Sequence, residues 1–264
     1  MKVLVINLDS AKDRRAFQDE QLSFYGLNYE FLSAVSVNGI TQNTYQQHYH
    51  DWQRPLKKTE VACYYSHRSA WQRVISDNQP MLILEDDALL SKHLTELLPI
   101  LEQEQGADLI NLENRGRKKF VSKAAKSIGS QAKLLQLYQD RTGAACYILW
   151  PSGAKKLLEC ERQKGIALAD AHITACHQLK AFQVEPAVAI QLDYCKHYQM
   201  QNPTHQQLAQ SSVSSRFNDK GNWQFWLKRL YHQIKLGWRQ LSLLGHVQRR
   251  YIDINAKDFY RQLD

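Results

Sequence analysis

Hydrophobic positions along the chain fall into two kinds of run. Val3–Leu8, Met81–Leu84, Asp108–Leu112 and Ala144–Trp150 are short, nearly continuous apolar stretches. That is the pattern of strands buried on both faces of a sheet. Phe31–Val37 reads as a further short strand, and Ala181–Ile190 as one or two strands around Pro186. Between them lie helical patterns: Ala11–Gly26 with Phe17 and Leu22 inward, Thr59 to Asp77 with Thr59 as N-cap and Asn78 as stop, a helix after Asp87 running to about Glu104, and Pro151–Glu161 opened by its proline. Gly39–Pro55, residues 114–133 and Gln199–Ser215 show no clean period and read as loops, the basic 114–133 stretch as a mobile one. Strands alternating with helices predict an α/β fold with a mostly parallel sheet flanked by helices. No internal repeat or linker divides residues 1–215, and residues 216–264 form a C-terminal helical extension.

The extension has its own pattern. Apolar residues recur at 223, 227, 230, 234, 238, 241 and 244, while Lys228, His232, Lys235 and Arg239 share another face. Such a basic amphipathic helix suits an anionic membrane surface, and it equally suits a helix that packs its stripe on the domain with a solvated positive face. Gly237 falls within the pattern and weakens an uninterrupted helix.

Composition narrows the class. The 264 residues are 44% hydrophobic and 23% charged, with mean hydropathy −0.52; this excludes a polytopic membrane protein and a disordered chain. The net charge of +8 first suggests an acidic partner. Its distribution says more. Residues 114–133 and 220–252 each carry seven Lys/Arg and no acid, so the remaining 211 residues are net −6. Five cysteines, an odd number without a C-x-x-C pair, argue against a disulfide framework or structural zinc site and for a reducing compartment. The Cys176-His177 pair has no further support as a nucleophilic dyad. MKVLVINLDS has the features of neither a signal peptide nor an anchor, and no window reaches the ~20 apolar residues of a membrane span, so a cytoplasmic protein is expected.

The chemistry concentrates in MLILEDDALL. Open α/β sheets bind ligands outside the carboxyl ends of their strands. Three carboxylates there, Glu85, Asp86 and Asp87, repel one another unless a positive group sits among them. Mg²⁺ or Mn²⁺ answers this, since hard oxygens suit either ion and leave positions for substrate phosphates. The alternative is that Asp86 or Asp87 only N-caps a helix beginning near Ala88.

Several segments, in order, resemble glycosyltransferase family 25, the lipopolysaccharide and lipooligosaccharide glycosyltransferases: VLVINLDSAKDRR, TEVACYYSHRSAWQRVI, LILEDDALL, GAACYILWPSGAKKLLE and ALADAHI, together spanning roughly residues 1–190. Val61-Ala62 before the Cys and Ala169 before the Asp depart from the family pattern without removing a functional group. The resemblance implies a GT-A-like, inverting nucleotide-sugar transferase over residues 1–215 that uses Mn²⁺ or Mg²⁺. Its metal ligands would be Asp87 and then Glu85, which strand alternation puts on one side, with Asp86 turned away as a cap or ribose contact.

Further candidates follow from the same resemblance. Asp170 is the candidate catalytic base, against the alternative of an N-cap for Ala171–Lys180. Asn7, Leu8, Asp9 and Arg14 at the end of the first strand, together with Ser66, His67, Asp86, Asn111 and Glu113, are donor-site candidates. Each has a plainer reading: His67 as a satisfied core histidine, Asn111 and Glu113 as ordinary strand-end polar residues, Arg14 and Arg15 as a solvated first turn. The implied partners are a UDP-sugar, with galactose ahead of glucose and a β-linkage, a lipooligosaccharide or other glycolipid acceptor, and an anionic inner-membrane surface on its cytoplasmic face. A nucleic-acid binder explains the charge but not the acidic strand ends, so no nucleic acid is expected. A metal-dependent phosphodiesterase or nucleotidyltransferase would also use strand-end carboxylates.

Overall fold

A computed structural model describes residues 1–200, 208 and 223–259. The apolar runs become strands β1 (Lys2–Asn7), β3 (Met81–Glu85), β5 (Leu109–Asn111) and β8 (Cys146–Leu149), each within a few residues of the predicted bounds. With β2 (Tyr29–Ser33) and β9 (Ala181–Glu185) they form the centre of a sheet ordered β9-β5-β8-β3-β1-β2. Five of these six run the same way, with β8 inserted antiparallel between β3 and β5. Beyond β9 the sheet continues antiparallel through β7 (Ala132–Gln139), β6 (Lys119–Ile128) and β11 (Val247–Arg250).

Alternation along the buried strands builds two cores. Leu4, Ile6, Met81, Ile83, Tyr147 and Leu149 face one side, where α3 (Lys58–Asp77), α5 (Pro151–Lys164) and α6 (Ala169–Ala175) cover them. Val3, Val5, Leu82, Leu84, Cys146 and Ile148 face the other, under α1 (Lys12–Phe24) and α4 (Leu94–Glu102). The result is the α/β sheet flanked by helices that the pattern predicted.

Several elements differ from the sequence expectation. Within Gly39–Pro55, Thr41 caps a short helix, α2 (Gln42–His48), its hydroxyl accepting from Thr44 N at 3.1 Å. The N-cap of helix α3 is Lys57, two residues before Thr59, with the Glu60 carboxylate accepting from Lys57 N at 3.0 Å, while Asn78 ends the helix in the left-handed region at φ 50°. No helix starts at Ala88; Ala88–Leu90 is strand β4, paired antiparallel with β10 (Ala189–Gln191). The basic stretch 114–133 is not a loop but mostly strand β6, whose inward residues Lys119, Val121 and Ile128 pack beside the apolar β7. The strand was not legible because its residues from Ser122 to Ser127 are all at least partly exposed and its register with β7 shifts at Val121, so no sustained alternation marks it.

The C-terminal extension is also not purely helical. Helix α7 (Trp223–Ser242) is followed by β11 at the edge of the large sheet and a 3₁₀ turn at Ala256–Phe259. The polar stretch 201–215, apart from Leu208, and residues 216–222 and 260–264 lie outside the described residues. Among the described residues no helix is long and apolar enough to cross a membrane.

Candidate active site

The carboxyl ends of β1 and β3 open into a cavity of about 570 Å³ lined by Leu8, Arg14, Ser66, His67, Glu85, Asp86, Asp87, Arg115, Asp170 and Gln191. Its acidic wall is set by strand register. Ile6 pairs with Glu85, so Asn7 lies beside Asp86 and donates from Nδ2 to Asp86 Oδ2 at 2.9 Å. Gln191 pairs with Ala88 across β10–β4, which brings its amide to Glu85 Oε2 at 3.0 Å and to Asp87 Oδ1 at 3.3 Å. One amide thus spans Glu85 and Asp87, while Asp86 turns to Asn7 and to Arg14, whose Nη1 donates to Asp86 Oδ1 at 2.9 Å. The reading of Asp86 or Asp87 as an N-cap fails, because the next helix begins only at Leu94.

Helix α1 supports this turn from below with two buried glutamines. Gln18 Nε2 donates to the carbonyl oxygens of Ala88 at 2.7 Å and Asp86 at 3.2 Å, and Gln21 bonds Ala88 O and Leu90 N. Phe17, expected inward, is only half-buried; the inward positions are Gln18, Gln21 and Leu22. Buried polar groups require partners, and here the partners are the backbone of the acidic turn.

His67 sits in a directed relay. Trp71 Nε1 donates to the Tyr147 hydroxyl at 2.9 Å, that hydroxyl lies 3.0 Å from His67 Nδ1, and His67 Nε2 lies 2.9 Å from Glu85 Oε1. An indole N–H can only donate and a carboxylate can only accept. A neutral His67 therefore takes the Tyr147 proton at Nδ1 and donates from Nε2 to Glu85. His67 and Ser66 are both buried and both line the cavity; Ser66 Oγ accepts from Val35 N at 2.9 Å.

Electrostatics separate the carboxylates. Burial alone would raise Glu85, but the hydrogen bond from His67, with the charges of Arg115 and Arg14, holds it below the usual carboxylate range. Burial, then the neighbouring Glu85 charge, pushes Asp87 up to about 7. Asp86 is raised by burial, against the pull of Arg14 and Asn7. Asp170 is likewise raised by burial, although Ala171 N donates to its Oδ1 at 2.7 Å. Leu168 is the N-cap of α6, so Asp170 lies inside its first turn and lines the cavity rather than capping Ala171–Lys180.

Four candidates do not line the cavity, Asn7 among them, which is buried against Asp86. Asp9 is exposed and takes the Ser33 hydroxyl at 2.9 Å. Asn111 and Glu113 are fully buried behind the cavity wall: Asn111 Nδ2 donates to Gly143 O at 3.3 Å, and Glu113 Oε2 accepts from Ala145 N at 2.9 Å. They brace the Gly143–Ala144 segment that lines the cavity. A Cβ at Gly143, where φ is +93°, would stand 2.4 Å from Glu113 Oε2. Burial and the Glu85 charge push Glu113 up to about 8.

Arg115, Gln191 and Cys63 line the cavity without having been singled out in the sequence. Arg115 forms a two-pronged bond to Asp193 at 3.0 and 3.1 Å. The Cys63 sulfur, a His67 ring nitrogen and a Glu85 oxygen lie within 4.8 Å of one another. Burial, with the surrounding carboxylates, pushes the Cys63 thiol well up, and both His67 nitrogens are engaged. Those three therefore make a poor soft-metal site. The sequence hinted at Arg115 through the basic block, and Gln191 falls one residue beyond the late strand read over Ala181–Ile190.

A "Glycosyltransferase 25 family member" of Aedes aegypti is 27% identical over 65% of this chain and 30% of its own length. The "Lipooligosaccharide biosynthesis protein lic2B" of Haemophilus influenzae is 27% identical over 71% of this chain and 74% of its own. "Procollagen galactosyltransferase 2" of Homo sapiens is 30% identical over 60% of this chain and 27% of its own. The chain thus spans less than a third of the length of the two animal relatives. A family model described as "Glycosyltransferase family 25 (LPS biosynthesis protein)" matches residues 1–173, and the chain belongs to that family.

Proposed function

We propose that this chain is an inverting, metal-dependent glycosyltransferase that moves a hexose, galactose from UDP-galactose, onto a lipooligosaccharide or lipopolysaccharide acceptor in a β-linkage. The observation that carries the reading is the cavity itself: paired carboxylates Glu85 and Asp87, the guanidinium groups of Arg14 and Arg115, and the separate carboxylate Asp170 converge on one space at the strand ends. The galactose choice leans on the relative named a procollagen galactosyltransferase, and the acceptor choice on the Haemophilus lipooligosaccharide protein. UDP-glucose differs from UDP-galactose by one hydroxyl configuration and is the alternative donor. The acceptor reading includes the anionic, cytoplasmic face of the inner membrane on which such a lipid is presented.

The donor set fits Mn²⁺ or Mg²⁺. Glu85 and Asp87 are hard oxygen ligands held close together with one neutral amide between them, and the proton that Asp87 retains to about 7 is what a divalent cation would displace. When bound, the ion would supply charge stabilisation to the departing diphosphate. Arg115, steered by Asp193, and Arg14 add positive charge on the same wall. Asp170 takes the proton of the acceptor hydroxyl as that oxygen attacks the anomeric carbon from the face opposite the leaving group. Burial suits it to this role by making it a stronger base than an exposed aspartate, and Ala171 N occupies Oδ1, leaving Oδ2 for the proton. The relay through His67 keeps Glu85 ionised and oriented.

The test is incubation with UDP-galactose or UDP-glucose, Mn²⁺ and a lipooligosaccharide acceptor. UDP release that depends on the acceptor, with a β-linked hexose in the product, is expected. Release of UMP or pyrophosphate would instead identify a phosphodiesterase or nucleotidyltransferase and overturn the reading. Retention of the donor's anomeric configuration would remove Asp170 as an inverting base.

A further inference from the structure

Helix α7 is mounted on the protein in the opposite sense to an ordinary surface helix. Phe225 is buried against Tyr49 and stacks on His50, with centroids 5.3 Å apart, and His232 packs on Trp52 at 5.5 Å. Lys228 donates to His50 O, and Arg239 donates to Tyr138 O at 3.0 Å. These four residues share one face at about 3.6 residues per turn. The opposite face carries the apolar stripe, and it points outward: Trp223, Trp226, Ile234, Trp238 and Leu241 are 52 to 70% exposed. A stripe packed on the domain would be buried. A soluble surface rarely presents so continuous an aromatic and aliphatic patch without something to cover it.

We propose that the outward face of α7 is the surface by which this chain docks on an anionic lipid bilayer, with the tryptophans at headgroup level and the aliphatic side chains below them. Two observations choose the bilayer over a second copy of the chain. Residues 220–252 hold seven Lys/Arg and no acid. Of these, Lys228 and Arg239 face the domain, while Arg229 and Lys235 stand exposed beside the stripe; a two-fold dimer would bring these two cations of each copy together with no acid on the helix to neutralise them, whereas anionic headgroups complement them. The exposed cations Arg229 and Lys235 also fall on opposite flanks of the stripe, where side chains of an interfacial helix reach phosphate.

Position adds a functional consequence. Helix α6 contributes Ala169 and Asp170 to the large cavity; its other face, with His172 and Ala175, lines a cavity of about 190 Å³ shared with Tyr231, His232 and Lys235 of α7. Helix α7, this small cavity and one seven-residue helix therefore lie between the docking surface and the candidate base. A chain docked through α7 holds its acceptor end close to the bilayer. This consequence rests on the glycolipid-acceptor reading above; the docking itself does not.

Vesicle co-sedimentation of the full chain, without donor or acceptor, separates the two. Binding is expected to vesicles containing phosphatidylglycerol, to weaken with added salt, and to be much lower with phosphatidylcholine alone. The exposed triple variant Trp226→Ser, Trp238→Ser, Leu241→Ser should lose affinity by about 10-fold or more, and Arg229→Glu with Lys235→Glu should remove the preference for phosphatidylglycerol. Hydrolysis of the donor in the absence of acceptor should be unchanged in all of them. Undiminished binding by the triple variant, or no binding by the parent chain, overturns the proposal. So does a dimer of the parent chain that the triple variant abolishes, which would make a second copy the occupant.

Discussion

The acidic strand end and helix α7 break the same rule in opposite directions. Around Glu85–Asp87 the protein buries what water would solvate: Asp86, Asp87, Gln18, Gln21, His67 and Asn7 are all under 10% exposed. Along α7 it exposes what water would expel, with Trp238 70% and Leu241 59% accessible. Apolar burial is the main favourable contribution to folding, so neither arrangement follows from stability alone. The acidic region compensates internally, since nearly every buried polar group there has a named partner. The helix has polar anchors beneath it and nothing on its outer face among the described residues. A closed polar network points to a small ligand that completes it, and an open apolar face to a large surface that covers it.

That contrast can be broken at the acidic end first, where the largest effect is expected. Asp87→Ala should lower transfer by on the order of 10³-fold, the scale for removing a principal electrostatic stabiliser, while circular dichroism remains that of the parent. Retained metal-dependent transfer in this variant, together with its loss in Asp86→Ala, would reverse the roles assigned to the two aspartates. Asp170→Asn is isosteric and still accepts from Ala171 N, so about a 10²-fold loss of kcat with unchanged UDP affinity is expected. Stopped-flow or steady-state kinetics with nucleotide titration distinguishes this from a binding defect.

Next in size is the pH dependence that the raised Asp87 imposes. Its proton is retained to about 7 in the folded state, against an ordinary carboxylate value in the unfolded chain. Between these values the folded protein binds more protons than the unfolded one, so Asp87's contribution to stability falls as pH rises toward 7. A divalent cation needs the deprotonated form. Mn²⁺ should consequently bind more tightly at pH 8 than at pH 6, and the Tm increase it produces should be larger at pH 8. Equal Tm shifts at both values would show that Asp87 is not a ligand. Gln191→Ala, which removes the amide between the two carboxylates, should change Mn²⁺ affinity by about 10-fold, as outer contacts of metal sites do.

The parts of this molecule legible in sequence are those governed by local pattern. β1, β3, β5 and β8 are continuous apolar runs, and their ends place the acidic triplet at a strand terminus whatever the rest of the chain does. What was hidden depends on pairing across long separations. Gln191 reaches Glu85 across 106 positions, because β10 pairs with β4 where a helix was expected. Gln18 and Gln21 looked like surface amides because periodicity weighs only apolar positions, yet their partners are backbone carbonyls about 70 residues away. Asn111 and Glu113 end a strand on the correct edge, but one layer behind the cavity. For α7 the period correctly defined an apolar face; no period says which way that face points.

The smallest effect tests whether the network around Glu85 is a relay or merely a packed core. Tyr147→Phe keeps the ring, which is buried and stacks on His67, and removes only the hydroxyl shared by Trp71 Nε1 and His67 Nδ1. Two buried groups then lack a partner, so a loss of about 1–3 kcal/mol in unfolding free energy is expected from denaturant titration. A purely structural hydroxyl would stop there. In the relay, losing the hydroxyl that donates to Nδ1 removes what keeps the His67 proton on Nε2, so the ring is free to carry it on Nδ1, where it no longer donates to Glu85. Glu85 would then lose the interaction that offsets its burial, and its proton affinity would rise. The acid limb of the pH–rate profile should shift upward in Tyr147→Phe, with kcat reduced only a few-fold at pH 8. An unshifted limb alongside the stability loss would assign Tyr147 and Trp71 to the core and leave His67 to orient Glu85 alone.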